Sequence, residues 1–274
     1  MKKKIIIIVF IIFFIGTGAF VYFGQKSNQQ KELSYSGTIE TTQAKLSFQV
    51  PGRVAQVNIQ EGQAVTKNQI IVVLDRAEFA SRYDQAKANV TSVQETFKDT
   101  KKNYKRFEEL FGKGVVTEKE RDSVKLAYEV AKSRLAESES VLSLAAIQLS
   151  YTHLKSPMDG IVTSRNIEPG ETVNAGREVI TISDLSRVDL KIFVDETEIG
   201  KVKHNQKVEV KVDTFPDKSY TGYVSFISPE GEFTPKIIQT KKERVKMVYL
   251  VKVSIVNPNF DLKAGMPADA LLAQ

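Results

Sequence analysis

The sequence predicts a mainly β protein from which a long α-helical hairpin projects. Three observations support this prediction: a motif that occurs twice, a heptad pattern between its copies, and a series of short alternating segments after the second copy. The copies span residues 50–75 and 156–184. Because each copy is too short to bury a core of its own, the two must come together. The helices between them must therefore leave and return at one place.

The two copies of the motif align at a single offset of 108 residues. Seven pairs then coincide: Gly52 with Gly160, Val54 with Val162, Ile59 with Ile167, Gly62 with Gly170, Val65 with Val173, Ile71 with Val179 and Leu74 with Ile182. Gly62 and Gly170 close the tight-turn dipeptides Glu61-Gly62 and Pro169-Gly170, where glycine permits positive φ. Gly52 and Gly160 are likewise predicted to be turn glycines of the two halves. The agreement predicts two halves of one small β domain, each built of short strands around glycine turns.

Two heptad seams occupy the segment between the copies, with apolar or small residues spaced alternately by four and three. The first comprises Phe79, Tyr83, Ala86, Val90, Val93, Phe97, Thr100, Tyr104, Phe107 and Phe111. The second comprises Val124, Tyr128, Ala131, Leu135, Ser138, Leu142, Ala145, Leu149 and Thr152. Two such helices joined by a short glycine-containing loop are expected to form an antiparallel coiled coil, the first about 55 Å long. Thr117 and Glu120 predict a capping box at the start of the second helix.

The remaining β segments lie at near-regular spacing and predict a small antiparallel β-barrel. They are residues 35–48, 188–194, 207–212, 222–227 and 248–255. Residues 196–202 are expected to form a short helix between two of these strands. Both ends of the chain therefore contribute to the barrel.

The N-terminus carries three lysines followed by Ile5 to Phe23, an uncharged run of 19 residues. That length suits a transmembrane helix, and the lysines predict a cytoplasmic N-terminus. A cleaved signal peptide is the alternative, because residues 17–19 are small enough for a weak cleavage site. We expect a retained anchor, since the apolar run continues past that site.

The composition argues against several classes of function. The chain has no cysteine, which excludes disulfides, thiolate metal sites and a lipoprotein anchor. The net charge is +6, and no basic stripe interleaved with aromatic residues indicates nucleic-acid binding. His153 and His204 have no neighbour at ligand spacing, and no phosphate-binding glycine loop occurs. We therefore expect no enzyme activity, cofactor or metal, and any ATP would be hydrolysed by a partner.

The arrangement resembles the membrane fusion proteins, also called periplasmic adaptor proteins or the HlyD family. The repeat and residues 152–162, 194–210 and 262–270 carry the resemblance. In that family a lipoyl-like (biotinyl-like) domain is split by an α-helical hairpin and followed by a β-barrel. Asn205 stands where members typically have glycine, and asparagine tolerates the same left-handed conformation.

The resemblance implies the following division of the chain. Residues 1–24 hold the cytoplasmic lysines and the transmembrane anchor, 25–47 a linker and first barrel strand, 48–75 the first half of the lipoyl-like domain, 76–152 the hairpin with its tip at about 111–118, 153–185 the second half, and 186–274 the β-barrel.

Residues 104–117 resemble the Arg, Leu, Ser/Thr tip pattern of adaptors that dock onto an outer-membrane channel of the TolC type. The resemblance implies that Arg106, Leu110 and Thr117 contact such a channel. The residues alone also allow another interpretation, in which Arg106 is solvated, Leu110 seals the hairpin end and Thr117 is an N-cap. Residues 233–244 resemble the branch of the family that works with ABC-type exporters.

The implied function is that of an adaptor in a tripartite efflux or secretion system, anchored once in the inner membrane with most of the chain in the periplasm. Its expected partners are an exporter, a TolC-like channel and further copies of itself in a hexamer. Two alternatives stay open: a structural or wall-binding coiled-coil protein of the envelope, and a lipoyl or biotinyl carrier. A carrier would need a modifiable lysine between the half-motifs, where this chain has Arg76.

Overall fold

The computed structural model describes residues 33–233 and 247–272, and the predicted anchor lies outside them. The chain is mainly β with two long helices, as the sequence predicts. It divides into two compact units, the described parts of Met1–Thr42 with Leu185–Gln274, and Gln43–Asp184. Within the described ranges, no helix combines the length and apolar character that crossing a bilayer requires.

The strands are β1 (Leu33–Ser47), β2 (Gly52–Val57), β3 (Ala64–Val65), β4 (Ile70–Leu74), β5 (His153–Lys155), β6 (Gly160–Arg165), β7 (Thr172–Val173), β8 (Glu178–Asp195), β9 (Lys207–Lys211), β10 (Ser219–Phe233), β11 (Met247–Val256) and β12 (Pro267–Leu272). The long helices are α1 (Ala77–Gly112) and α2 (Glu118–Ser150). The short helix expected at 196–202 is limited to a 3-10 turn at Ile199–Lys201.

The two half-motifs of the repeat interlock in the Gln43–Asp184 unit through equivalent hydrogen bonds. The backbone N–H of Gly62 donates to the carbonyl of Val162 at 2.8 Å, and that of Gly170 donates to the carbonyl of Val54 at 2.9 Å. Strand pairing repeats the relation, since β2 of the first half pairs with β7 and β6 of the second half pairs with β3. Each half thus supplies strand partners that the other lacks.

One hydrophobic core lies between these halves. It comprises Phe48, Val54, Ile59, Val65, Ile71, Val72, Leu74, Val162, Ile167, Val173, Val179, Ile180 and Ile182. Every apolar pair of the repeat is among them, which confirms the alignment made from the sequence. Burial of both members of each pair explains why the motif needs apolar residues at the same places in both copies.

The helices α1 and α2 pack against each other along the predicted seams. Small residues form the buried part of the contact: Ala86 on α1, and Ala131, Ser138 and Ala145 on α2. Near the outer end, the ring of Tyr128 stacks on both Phe97 and Tyr104, with centroids 5.7 and 5.2 Å apart. At the inner end, the N–H of Leu74 donates to the carbonyl of Thr152 at 2.9 Å, so the helices run antiparallel.

The other unit is an antiparallel barrel. Its strands follow the order β1-β12-β9-β10-β11-β8, and β1 also pairs with β8, which closes the ring. The core contains Ile39, Val188, Leu190, Ile192, Val194, Val202, Val208, Val210, Val212, Val224, Val251, Val253, Ile255, Leu262, Ala268, Ala270 and Leu272. Asn205 has a φ of 62°, the left-handed conformation expected of it.

Candidate functional site: the hairpin tip

The outer end of α1 stops in a turn that its own backbone fixes. Gly114 has a φ of 71°, which an L side chain rarely adopts. The N–H of Gly114 donates to the carbonyl of Phe111 at 2.9 Å, and that of Val115 donates to the carbonyl of Leu110 at 3.0 Å. These two bonds are those of a Schellman motif, in which Leu110 and Val115 occupy the positions of the usual apolar contact. The turn therefore has a defined geometry.

The start of α2 is held by the predicted capping box. The hydroxyl of Thr117 accepts a hydrogen bond from the N–H of Glu120 at 3.3 Å, and the N–H of Thr117 donates to the Glu120 carboxylate at 2.8 Å. The Thr117 hydroxyl also donates to that carboxylate at 2.8 Å. The backbone bond from Thr117, followed by the hydroxyl bond, lowers the pKa of Glu120 below its ordinary value. Glu120 is therefore held in the charged form that the cap uses.

The three predicted docking residues occupy different environments on this tip. Arg106 is exposed on α1, and its guanidinium donates to the Asn103 side chain at 2.6 Å. Leu110 is half-buried, and its carbonyl also accepts from the N–H of Lys113 at 3.2 Å. Thr117 is exposed, with its hydroxyl engaged by the capping box. The structure thus places all three at one end of the hairpin and gives Leu110 and Thr117 roles in ending and starting the helices.

An arginine that the sequence did not single out also belongs to the tip. Phe111, expected as the last seam residue, is 36% exposed at the end of α1. The Arg121 guanidinium lies over its ring, with the guanidinium carbon 4.4 Å from the centroid. Arg121 also pairs with Glu118 at 3.2 Å and with Asp122 at 2.6 Å. Since Phe111 and Arg121 lie on different helices, no spacing within one helix could have indicated the contact.

The motif glycines divide into two kinds. Gly62 and Gly170 have φ values of 81° and 93°, as expected of tight turns. Gly52 and Gly160 were also expected at turns, but they begin strands β2 and β6. A Cβ on Gly160 would lie 2.6 Å from the carbonyl oxygen of Ser183, so close strand packing excludes a side chain there.

No cofactor chemistry is visible at the positions that the sequence raised. Arg76 immediately precedes α1, so the hairpin begins where a carrier would present its modified lysine. His153 lies 3.2 Å from the Thr152 hydroxyl through its Nδ1 atom. Across the described ranges, no group of three or more His, Asp or Glu residues is arranged to hold a metal ion.

Comparison with known families covers both units. Residues 42–184 match the family described as CzcB-like, barrel-sandwich hybrid domain, and residues 188–269 match the YknX-like beta-barrel domain. A "UPF0194 membrane protein" of Acidithiobacillus ferridurans is 26% identical over 97% of this chain and 94% of its own length. The name of this relative describes it as a membrane protein.

Two solved structures have the same fold. A chimera of MacA with the α-hairpin domain of Pseudomonas aeruginosa MexA matches 88% of this chain and 80% of its own, with 25% identity and a TM-score of 0.65. The membrane fusion protein Spr0693 of Streptococcus pneumoniae matches 88% of this chain and 99% of its own, with 20% identity and a TM-score of 0.69.

The split barrel-sandwich domain, the hairpin and the barrel define a hairpin-bearing adaptor fold. With both units matched in the same order, the chain belongs to the membrane fusion protein, or periplasmic adaptor, family. The resemblance inferred from the sequence is thereby confirmed.

Proposed function

We propose that this chain is the adaptor subunit of a tripartite efflux or secretion system, which links an inner-membrane exporter to a TolC-like outer-membrane channel. The observation that carries the proposal is the tip, where Arg106 stands exposed one helical turn from Leu110 on a turn of fixed geometry. A tip that only closed a coiled coil would need the turn and the cap, but not an exposed arginine beside them.

Arg106 has the chemistry of a contact residue. Its guanidinium carries five N–H donors, and its bond to Asn103 uses a donor of one terminal nitrogen. The remaining donors suit a carbonyl or carboxylate on a partner surface. Leu110 adds a half-buried apolar side chain in the next turn. The expected partner surface therefore combines acceptor oxygens for Arg106 with a small apolar pocket for Leu110. A groove between two helix ends of a channel would provide both.

The other parts of the proposal concern the inner membrane. Ile5 to Phe23 would anchor the chain once, with the described units in the periplasm. The resemblance of residues 233–244 favours an ABC-type exporter, which would hydrolyse the ATP that this chain has no motif to bind. The adaptor would itself catalyse nothing.

Self-association is supported by the surface of the hairpin. Five large aliphatic residues are exposed on α2: Leu126, Val130, Val141, Leu144 and Ile147, between 44 and 65%. On α1, the only exposed large apolar residue is Phe111 at its outer end. A helix with a second apolar stripe outside its seam suits contact with a neighbouring helix. We therefore place the α2 stripe between copies of the chain.

The number of copies in such an assembly follows from the resemblance to the adaptor family, which implies a hexamer. A ring of six would match a trimeric channel.

The test uses the absence of cysteine in the chain. A single Lys113→Cys variant, crosslinked in intact cells and analysed by mass spectrometry, reports what lies at the tip. Capture of an outer-membrane channel supports the proposal. Recovery of cell-wall material or of the chain alone would contradict docking and favour the structural coiled-coil alternative.

Charge and polarity at the tip give the matching functional test. Arg106→Asp and Leu110→Asp should each abolish export, while the protein stays folded and anchored, because each places a carboxylate against acceptor oxygens or an apolar pocket. Lys87→Asp is the control, since it reverses the same charge on the same helix far from the tip. Normal export by both tip variants would remove Arg106 and Leu110 from the docking surface.

A further inference from the structure

Arg121 makes three kinds of contact at the tip, and its contact with Phe111 joins the two helix ends. Its guanidinium covers the Phe111 ring at 4.4 Å. One terminal nitrogen reaches Glu118 at 3.2 Å and Asp122 at 2.6 Å, and Nε donates to Asp122 at 3.0 Å. Its backbone N–H donates to the carbonyl of Thr117 at 3.1 Å. We call Arg121 and Phe111 together the tip clamp.

The tip clamp is linked to both turns that carry the predicted docking residues. Phe111 follows Leu110 directly, and its carbonyl accepts the N–H of Gly114 in the Schellman motif. Arg121 stands one turn after Thr117 on α2. The short loop between the helices leaves Gly114 and its neighbours as the covalent connection. The contact of Arg121 with Phe111 adds a second connection across that loop.

We propose that Arg121 is a positioning residue, which holds the last turn of α1 against the first turn of α2 and so fixes Arg106 and Leu110 relative to Thr117. The consequence for docking rests on the proposed function, whereas the clamp itself concerns this chain alone. Docking to a rigid partner is stronger when the binding groups are already in place, because less conformational entropy is lost on association.

A direct contact between Arg121 and the partner fits the geometry less well. Its side chain is 25% exposed, and both its donor edge and its face are engaged within the hairpin. Glu118 and Asp122, which hold it, are far more exposed at 75 and 56%. A partner would have to break these contacts to reach the guanidinium. Arg106, by contrast, offers donors to solvent.

The first experiment measures the clamp without any partner. A nitroxide attached to the full chain at Lys113→Cys reports the mobility of the turn by its spectral line shape. Arg121→Ala and Phe111→Leu should each increase that mobility, and the double variant should increase it no further than either alone. Phe111→Tyr keeps the ring face and should behave as the parent. Lys119→Ala, which removes an exposed cation from the same turn of α2, is the matched control.

The second experiment measures docking in the same variants by the yield of crosslink from position 113. A cation–π contact at an exposed site corresponds to about a two- to fivefold change in an equilibrium constant, and a loss of that size is expected for Arg121→Ala and for Phe111→Leu. In the double variant the two losses should not multiply, since both remove one contact. Multiplying losses, or a loss with Arg121→Ala alone, would identify Arg121 as a partner contact and overturn the positioning role.

The two experiments separate the two proposals. Unchanged nitroxide mobility in Arg121→Ala and Phe111→Leu would overturn the clamp whatever the tip binds. A different result would be increased mobility in the two variants while the parent chain captures no channel. That result would support the clamp and contradict the proposed function.

Discussion

The barrel-sandwich halves and the hairpin belong to one unit but are built in opposite ways. The halves enclose a core of large aliphatic residues, several of them fully buried, such as Ile71 and Leu74. The hairpin buries small residues along its seam and leaves Leu126 and Leu144 exposed. Stability is therefore concentrated in the first region, and surface available to partners in the second.

This difference separates two kinds of residue that a sequence alone presents alike. Leu74 and Leu126 are both leucines, yet their exposed fractions are 0 and 65%. A substitution in the barrel-sandwich core should change folding, and one on the hairpin surface should change association. Substitutions in each region can test that division.

The largest effect is expected from Leu74→Ala. Removing a fully buried side chain loses its transfer free energy and leaves a cavity, so the free energy of unfolding should fall by about 2–5 kcal/mol. Leu126→Ala is the control on the hairpin and should leave it nearly unchanged. Denaturant unfolding of the full chain, followed by circular dichroism, measures both. Equal losses in the two variants would contradict the division.

A smaller effect is expected from the turn glycines. Gly62→Val should cost about 1–3 kcal/mol, because its φ of 81° is unfavourable for a β-branched residue although nothing lies within 4 Å of the new Cβ. Gly112→Ala is the matched control, since Gly112 has open space around it and ends α1 without a positive φ. That variant should melt at the same temperature as the parent or slightly above. Unchanged melting of Gly62→Val would remove the claim.

The helix cap should contribute less again. Thr117→Ala removes the hydroxyl that accepts from Glu120, and caps of this kind are worth about 0.5–2 kcal/mol. The loss should be confined to the outer end of the hairpin, where hydrogen exchange of the first amides of α2 would become faster. Exchange in strand β4 should not change. Faster exchange in both places would mean that the hairpin and the barrel-sandwich core unfold together.

The smallest effect concerns pH. The pKa of Glu120 is lowered in the folded state, so its contribution is complete above the ordinary glutamate pKa of about 4.3 and is lost as pH falls through the lower folded value. Glu120→Gln should therefore slightly lower protection at the start of α2 near neutral pH, where the charge contributes, and should remove the further loss that acid causes in the parent. An identical acid response in parent and variant would show that the cap does not need the charge.

The sequence predicted well the structural features that depend on regular spacing along the chain. The repeat located Val54, Val162 and their partners in one core, and the heptad spacing located Ala131 and Ala145 at the buried contact. Both follow from periodicity, which depends on neighbours along the chain. The capping box at Thr117 was predicted for the same reason.

Contacts between distant segments were not predictable in this way. Gly52 and Gly160 resembled turn residues, but their role is set by strands that pack against them, as with Ser183 beside Gly160. Phe111 continued a heptad seam in sequence, while in the structure it lies beneath Arg121 across the loop. The chemistry of the partner at the tip is likewise absent from any local pattern.

The interlocked halves also constrain the order in which the chain folds. The hydrogen bond from Gly62 to Val162 joins residues 100 positions apart in the chain, and closing so long a loop is costly in entropy. The hairpin has mostly short-range contacts at its turn and can zip from there toward Leu74 and Thr152. Formation of the hairpin would then bring the second half-motif next to the first. Lengthening the hairpin should slow refolding only slightly, whereas breaking its turn at Gly114 should slow it severely.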